Sequence, residues 1–176
     1  VTGASGGVGS LAVALLAGRG FTVAASSGKR RAHEWLRGLG ASSVLDRAAL
    51  AEPSLKPLLK PSWQGGVDTV GGQTLATLLK SLYWGGAVAA CGLVGGTELN
   101  TSIYPFILRG ARLLGIDSAA CPMARRSAAW AKLAGEWRPA DLEAMTEEIG
   151  LDGLEAAVQK ILKGEMQGRV LVDLDA

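Results

Sequence analysis

The sequence predicts an α/β fold, a parallel sheet covered by helices on both faces. Three observations carry the prediction. Short strand-like stretches alternate with helix-like ones from Val1 to Asp117. The strand stretches are almost continuously apolar, as strands buried on both faces are. The first strand also runs through Gly3-Ala4-Ser5-Gly6-Gly7-Val8-Gly9 straight into an apolar helix, and a second strand follows at βαβ spacing.

Val1 and Thr2 read as the end of the first strand. Strands commonly run about five to six residues, so this one is expected to be cut short and the chain to be a piece of a longer protein. The first helix covers about Gly7 to Ala17, dense enough in apolar residues to be mostly buried, and Gly18 and Gly20 end it. Phe21–Ser26 is the second strand. A helix over about Arg30 to Leu39 turns Trp35, Leu36 and Leu39 inward and stops at Gly40. Ser43–Leu45 is a short third strand. Residues 46–64 are looser, broken by Pro53, Pro57 and Pro61.

Val67–Val70 reads as the fourth strand, closed by Gly71-Gly72, with a helix from about Gln73 to Leu82 after it. Gly86–Cys91 is a buried small-residue strand. Tyr104–Arg109 is a helical turn leading into a sixth strand, Ala111–Asp117. A Rossmann-type, doubly wound sheet ordered 3-2-1-4-5-6 puts that sixth strand at an edge. Residues 123–137 form a helix, Glu148–Leu151 a brief strand, and Leu154, Ala157, Val158, Ile161 and Leu162 one amphipathic stripe. Arg169–Leu174 is a terminal strand whose partner is not evident in the sequence. Residues 1–137 are therefore expected to form the nucleotide-binding domain, and 138–176 a tail of different character.

The chain has 176 residues with a formal net charge of +2, 48% hydrophobic and 19% charged, an ordinary globular balance. That charge gives no electrostatic case for nucleic acid or a membrane surface. No apolar run approaches a bilayer span. Cys91 and Cys121 show neither CxxC nor Cys/His clustering, so no metal site is indicated and both are expected to be buried small side chains. A cytoplasmic location is expected.

The strand–turn–helix is a phosphate cradle: N–H groups at the helix start point at an anion, and the helix dipole favours negative charge there. Read as Gly-x-Gly-x-x-Gly, Ala4 stands in the first glycine slot. Gly6 lets backbone approach a pyrophosphate and Gly9 lets the helix pack on the sheet, with Gly7 and Val8 between them. A glycine pattern by itself also marks ordinary turns, and the flanking strands and helix decide for the dinucleotide. Where an NAD site carries Asp or Glu at the end of the second strand, this chain has Ser26-Ser27-Gly28-Lys29-Arg30-Arg31. Hydroxyls, a glycine N–H and a cation there suit a 2′-phosphate, so NADP(H) is the expected cofactor. His33 is expected at the surface, Asp68 in a loop-tying role near the sheet's carboxyl edge, and the scattered Trp residues in packing.

Taken together, Val1–Gly9, Leu-Gly-Ala-Ser (39–42), Val-Asp-Thr-Val-Gly-Gly (67–72), Ala-Ala-Cys-Gly-Leu (89–93), Pro-Phe-Ile-Leu-Arg-Gly (105–110), Leu-Leu-Gly-Ile-Asp-Ser (113–118) and Gln-Gly-Arg-Val-Leu-Val (167–172) resemble the quinone oxidoreductase branch of the medium-chain dehydrogenase/reductases. More narrowly they resemble its NADPH-dependent acrylyl-CoA reductase subgroup. The resemblance implies a GroES-like catalytic domain ahead of the nucleotide domain, to which the tail 138–176 returns. It implies zinc-independent hydride transfer from NADPH to the β-carbon of an activated enoyl group. Gly6–Gly9 would hold the pyrophosphate, Ser27, Gly28 and Lys29 the 2′-phosphate, and Cys91, Gly92 and Leu93 would lie by the nicotinamide ribose. It also implies a homodimer through the edge strand 112–117. No catalytic residue is assigned, because the substrate domain is not among these residues, and the 176 residues alone are expected to bind cofactor weakly and reduce nothing. The alternatives are a quinone or simple enone reductase and, in another class, a non-catalytic NADP-binding sensor or assembly module.

Overall fold

The computed structural model describes residues 1–140 and 142–175. The glycine turn delivers the chain into α1 (Gly7–Gly18), after which β1 (Ala24–Ser26), a 3-10 turn (Arg30–Ala32) and α2 (His33–Gly38) follow. Next come β2 (Ser43–Leu45), α3 (Ala48–Ala51), β3 (Trp63–Asp68), α4 (Gly72–Lys80) and β4 (Leu82–Ala90). The helical turn α5 (Tyr104–Arg109), β5 (Arg112–Gly115) and α6 (Met123–Ala134) complete the main layer. The tail adds β6 (Thr146–Ile149), α7 (Leu154–Leu162) and β7 (Arg169–Val172).

Strand β1 pairs in parallel with β2, and β3 with β4 and β4 with β5. The residues Val1–Ala4 join the two groups. The Val1 amine donates to the Ala24 carbonyl at 2.8 Å and Ser26 N–H to the Val1 carbonyl at 2.8 Å, while Thr2 N–H donates to Val67 at 3.0 Å. The order is thus β2, β1, Val1–Ala4, β3, β4, β5, the doubly wound arrangement the sequence predicts. Its reversal falls beside the first segment, where such folds bind ligands outside the carboxyl ends of the strands.

Apolar side chains bury on both faces of this sheet. One cluster joins Ala4, Val13, Val23, Ala25, Ala32 and Leu36; the other joins Leu50, Leu75, Leu78, Leu79, Leu82 and Val88. Arg109 locks α5 onto the second: its guanidinium donates to the carbonyls of Leu59, Lys80 and Leu82 at 2.7–3.0 Å.

Several expectations are corrected. The loose region holds α3, whose start is capped by Asp46 Oδ1 accepting from Ala48 N–H at 3.0 Å and which is anchored by Leu50. In α1 only Gly9, Ser10 and Val13 are buried; Ala12, Leu15 and Leu16 are half-buried, Leu16 packing against the first cluster. Trp84 and Trp130 are mostly exposed rather than packed. The terminal strand has a partner: β7 pairs in parallel with β6, Thr146 opposite Arg169 and Ile149 opposite Val172. The brief strand expected at Glu148–Leu151 lies two residues earlier, at Thr146–Ile149, and its exposed acidic residues Glu147 and Glu148 give no sign of the pairing. This pair is tied to the glycine turn, with Gly168 N–H donating to the Ser5 carbonyl at 3.0 Å and a parallel bridge between Gly6 and Gly168. Among the described residues no helix is long and apolar enough to cross a membrane.

Candidate nucleotide site

Close packing dictates the glycine turn. A Cβ on Gly9 would stand 2.4 Å from the Gly3 carbonyl oxygen and 2.7 Å from Ala4 Cα, so only glycine lets α1 lie this near the strand it leaves. Gly6 differs. It is the N-cap of α1 in extended backbone, and a Cβ there would meet only Gly3 O, at 3.4 Å. Its emptiness serves no packing inside the protein. The first-turn N–H groups of Val8 and Gly9 have no partner within the helix, no side chain caps it, and Val8 is 52% exposed. Open backbone and unclaimed donors make a concave, electropositive helix start.

Beneath it lies a buried carboxylate. Asp68 is fully buried; its Oδ1 accepts from Thr2 Oγ1 at 2.7 Å and its Oδ2 from Gly71 N–H at 2.8 Å. The Thr2 hydroxyl also accepts from Thr69 N–H at 3.0 Å, and Thr69 Oγ1 donates back to the Thr2 carbonyl at 3.0 Å. Asp68 has the loop-tying role expected of it.

The third segment, Cys91-Gly92-Leu93, hangs from the same place. Cys91 N–H donates to the Asp68 carbonyl at 2.9 Å, and a Cβ on Gly92 would stand 2.2 Å from Thr69 O. Leu93 is 64% exposed. Cys91 is exposed, and Cys121 is partly so, against the expectation of buried thiols. Partial desolvation, then the nearby Asp68 charge, push the Cys91 thiol above its ordinary pKa.

At the end of β1 the expected cluster forms with a different division of labour. Ser27 is buried, its hydroxyl donating to Ser5 Oγ at 2.9 Å and accepting from Lys29 N–H at 3.1 Å, so it fixes the loop to the glycine turn. Gly28 is exposed, and Lys29 reaches the tail, its ammonium donating to the Met166 carbonyl. Desolvation, then the Arg31 charge, lower the Lys29 pKa below 10.5.

Two basic residues escaped the sequence reading, and a third, Arg31, figures in it only as part of the basic run Ser26–Arg31. Arg31 donates to the Glu165 carbonyl at 2.5 Å. Arg47 lies on Gly28, where a Cβ would meet its Cδ at 2.7 Å. Arg169 covers Gly7, with its Cγ 3.1 Å from where a Cβ would sit. Nothing in the sequence marks Arg47, and Arg169 figures there only within the 167–172 motif, since the contact of each depends on a distant segment folding back. His33 is half-buried rather than at the surface, and its Nε2 has no hydrogen-bond partner. Among the described residues no group of three or more His, Cys, Asp or Glu side chains could hold a metal.

Known proteins resemble this chain in sequence and fold. Residues 7–135 match the family described as zinc-binding dehydrogenase. YhfP of Bacillus subtilis strain 168, named a putative quinone oxidoreductase, is 47% identical over 99% of this chain and 53% of its own length. Its crystal structure with NAD bound superposes with a TM-score of 0.93, over 98% of this chain and 53% of that one. AcuI of Escherichia coli K12, named a probable acrylyl-CoA reductase, is 46% identical over 99% of this chain and 53% of its length. The crystal structure of E. coli K-12 YhdH with bound NADPH is 47% identical, with a TM-score of 0.92 over 97% of this chain and 52% of that one. The chain spans about half the length of the curated relatives it matches. With its doubly wound sheet, open glycine turn and these relatives, the chain belongs to the medium-chain dehydrogenase/reductases, in the group of the quinone oxidoreductases and acrylyl-CoA reductases.

Proposed function

We propose that this chain is the NADP(H)-binding part of a zinc-independent oxidoreductase that reduces the activated double bond of an enoyl thioester such as acrylyl-CoA. The observation that carries the reading is the emptiness at Gly6, which no packing requires and which opens beside the unclaimed first-turn N–H groups of α1. When bound, NADPH supplies the hydride. The protein's own part is to hold and orient. Gly6 leaves room for the pyrophosphate, the N–H groups of Val8 and Gly9 donate to it, and Arg169, lying on Gly7, adds a cation to it. Ser27 fixes the loop that offers Gly28 and Lys29 to the 2′-phosphate. Cys91, Gly92 and Leu93, anchored through Asp68 and Thr69, stand by the nicotinamide ribose.

The NADPH-bound YhdH structure supports NADP(H), and the name of AcuI supports the enoyl-CoA substrate. A second reading, quinone or enone reduction, rests on the name of YhfP, whose structure carries NAD. In either reading residues 1–137 form the nucleotide domain, 138–176 run toward a catalytic domain that supplies the substrate pocket, and the enzyme works in the cytoplasm as a homodimer. The test is turnover of acrylyl-CoA and of quinones by the full-length protein with NADPH and with NADH. NADPH-dependent loss of acrylyl-CoA supports the first reading; quinone reduction alone overturns it in favour of the second. Binding of NADPH with neither turnover leaves the sensor module.

A further inference from the structure

Two loops leave the carboxyl edge of the sheet side by side, one after β3 and one after β4, and backbone clamps them together. Gly95 N–H donates to the Val70 carbonyl at 2.7 Å, and Gly96 N–H donates to the Leu93 carbonyl at 3.0 Å, which closes a β-turn over residues 93–96. A Cβ on Gly71 would stand 2.6 Å from the Gly96 carbonyl oxygen, and one on Gly72 would stand 2.8 Å from that of Gly95. Both glycines also have positive φ, 76° and 54°, so neither admits a side chain without displacing the turn. The first central residue of the turn is Val94, 88% exposed beside the exposed Leu93. Turn tips mostly carry Gly, Pro, Asn, Asp or Ser. Here an apolar side chain is held out in water by a turn too tightly clamped to fold it inward.

We propose that Val94 is the wall of the acyl pocket on the nucleotide-domain side, touching the carbons beyond the β-carbon and so limiting the length of the enoyl group. This rests on the enoyl thioester reading above. Hydride transfer needs the β-carbon within about 3–3.5 Å of the nicotinamide carbon that gives up the hydride. In that reading Cys91, Gly92 and Leu93 stand by the nicotinamide ribose, so the next residue of the same clamped turn reaches the group stacked on the ring. The β-carbon of an acrylyl group carries only hydrogens, whereas a longer enoyl group extends from that carbon. An apolar wall is the surface such an extension meets. Valine is stiff at χ1 and its backbone is fixed, so the wall does not yield to a longer chain.

The test is steady-state kinetics of the full-length protein with NADPH and acrylyl-CoA, crotonyl-CoA or hexenoyl-CoA, with NADPH affinity and melting temperature measured on the same samples. Val94→Ala should raise kcat/KM for hexenoyl-CoA relative to acrylyl-CoA by about tenfold or more, the scale of a methylene in an apolar pocket. Val94→Phe should shift the same ratio the other way. Both variants should keep the native melting temperature and an NADPH Kd within about twofold. If the ratios do not move, the inference is wrong and the enoyl reading stands. If all three substrates fall together with the melting temperature, Val94 packs on another part of the protein; if NADPH weakens with them, it belongs to the cofactor. Either result overturns the inference alone. A native protein that reduces none of the three enoyl-CoAs overturns both.

Discussion

The Thr2 hydroxyl donates to the Asp68 carboxylate at 2.7 Å, and the two side chains, 66 residues apart, are both sealed from solvent. This bond ties the strand that enters the glycine turn to the strand carrying the Gly71 loop. Asp68→Ala strands the Thr2 hydroxyl and Gly71 N–H without partners. Two hydrogen bonds to a charged group are worth roughly 1.5–3 kcal/mol each, so the loss of stability should be about 3–6 kcal/mol by urea unfolding. Thr2→Val should cost about half as much. The double variant should fall short of the sum, since both act on one network. Additive losses would mean that the bond does not couple the two segments.

Gly6 and Gly9 should behave oppositely despite being three residues apart. Gly9→Ala forces a Cβ into backbone at 2.4 Å and should lower stability by about 1–3 kcal/mol, as overpacking does. Gly6→Ala meets only a 3.4 Å contact, so its melting temperature should match the native protein while NADPH affinity drops. Thermal unfolding and cofactor titration on the same samples check both halves. A Gly6→Ala protein that binds NADPH normally would remove the pyrophosphate from this turn.

Selectivity should depend on pH through Lys29. Its pKa is held below 10.5 by desolvation and by Arg31. The protonated amine is the form that binds a dianion, and binding pulls its pKa back up, so NADPH binding takes up protons where free Lys29 is partly neutral. Preference for NADPH over NADH should therefore fade as pH rises toward 10, earlier than an ordinary lysine would allow. Lys29→Arg should abolish that fading, and Lys29→Glu should cost NADPH roughly 1.5–3 kcal/mol of binding. A preference that stays flat to pH 10 in the native protein would exclude Lys29 from the subsite.

Among the described residues strand β5 pairs with β4 alone, and Leu114 in it and Ile116 just after it are about half exposed. Unpaired apolar edges pair readily with another copy. Sedimentation should give a dimer mass for the full-length protein, and Leu114→Lys with Ile116→Lys should shift it to the monomer. A native monomer would count against pairing at this edge.

The sheet was legible because its evidence is local. Runs such as Ser43–Leu45 and Tyr104–Arg109 carry strand or helix chemistry within themselves, and both elements appear with those bounds. Gly9 was legible for the same reason, since strand, turn and helix adjoin in sequence. What stayed hidden depends on return of the chain. The partner of β7 is the acidic strand β6, which the sequence reading overlaps at Glu148 and Ile149 but whose pairing no local pattern marks. Arg47, Arg169 and the Glu165 and Met166 carbonyls matter only because distant segments meet, and a single basic residue carries no pattern of its own. Cys91 was misjudged because composition speaks of average burial, whereas its exposure follows from the loop hung on Asp68 and Thr69.

The hydrogen bond from Gly168 to Ser5 has a bearing on biosynthesis. About 160 residues separate its ends, roughly ten to thirty seconds of elongation on the ribosome. The turn emerges before its partners, and Arg169 and the carbonyls that hold Lys29 and Arg31 follow only after the residues of the main sheet. A nascent or clipped polypeptide that stops short of residue 165 keeps most of this sheet but not a finished nucleotide cradle. Competence to take up cofactor is then a readout of synthesis past residue 169, and ligand-dependent protection from proteases would sort molecules that carry this stretch from those that stop before it.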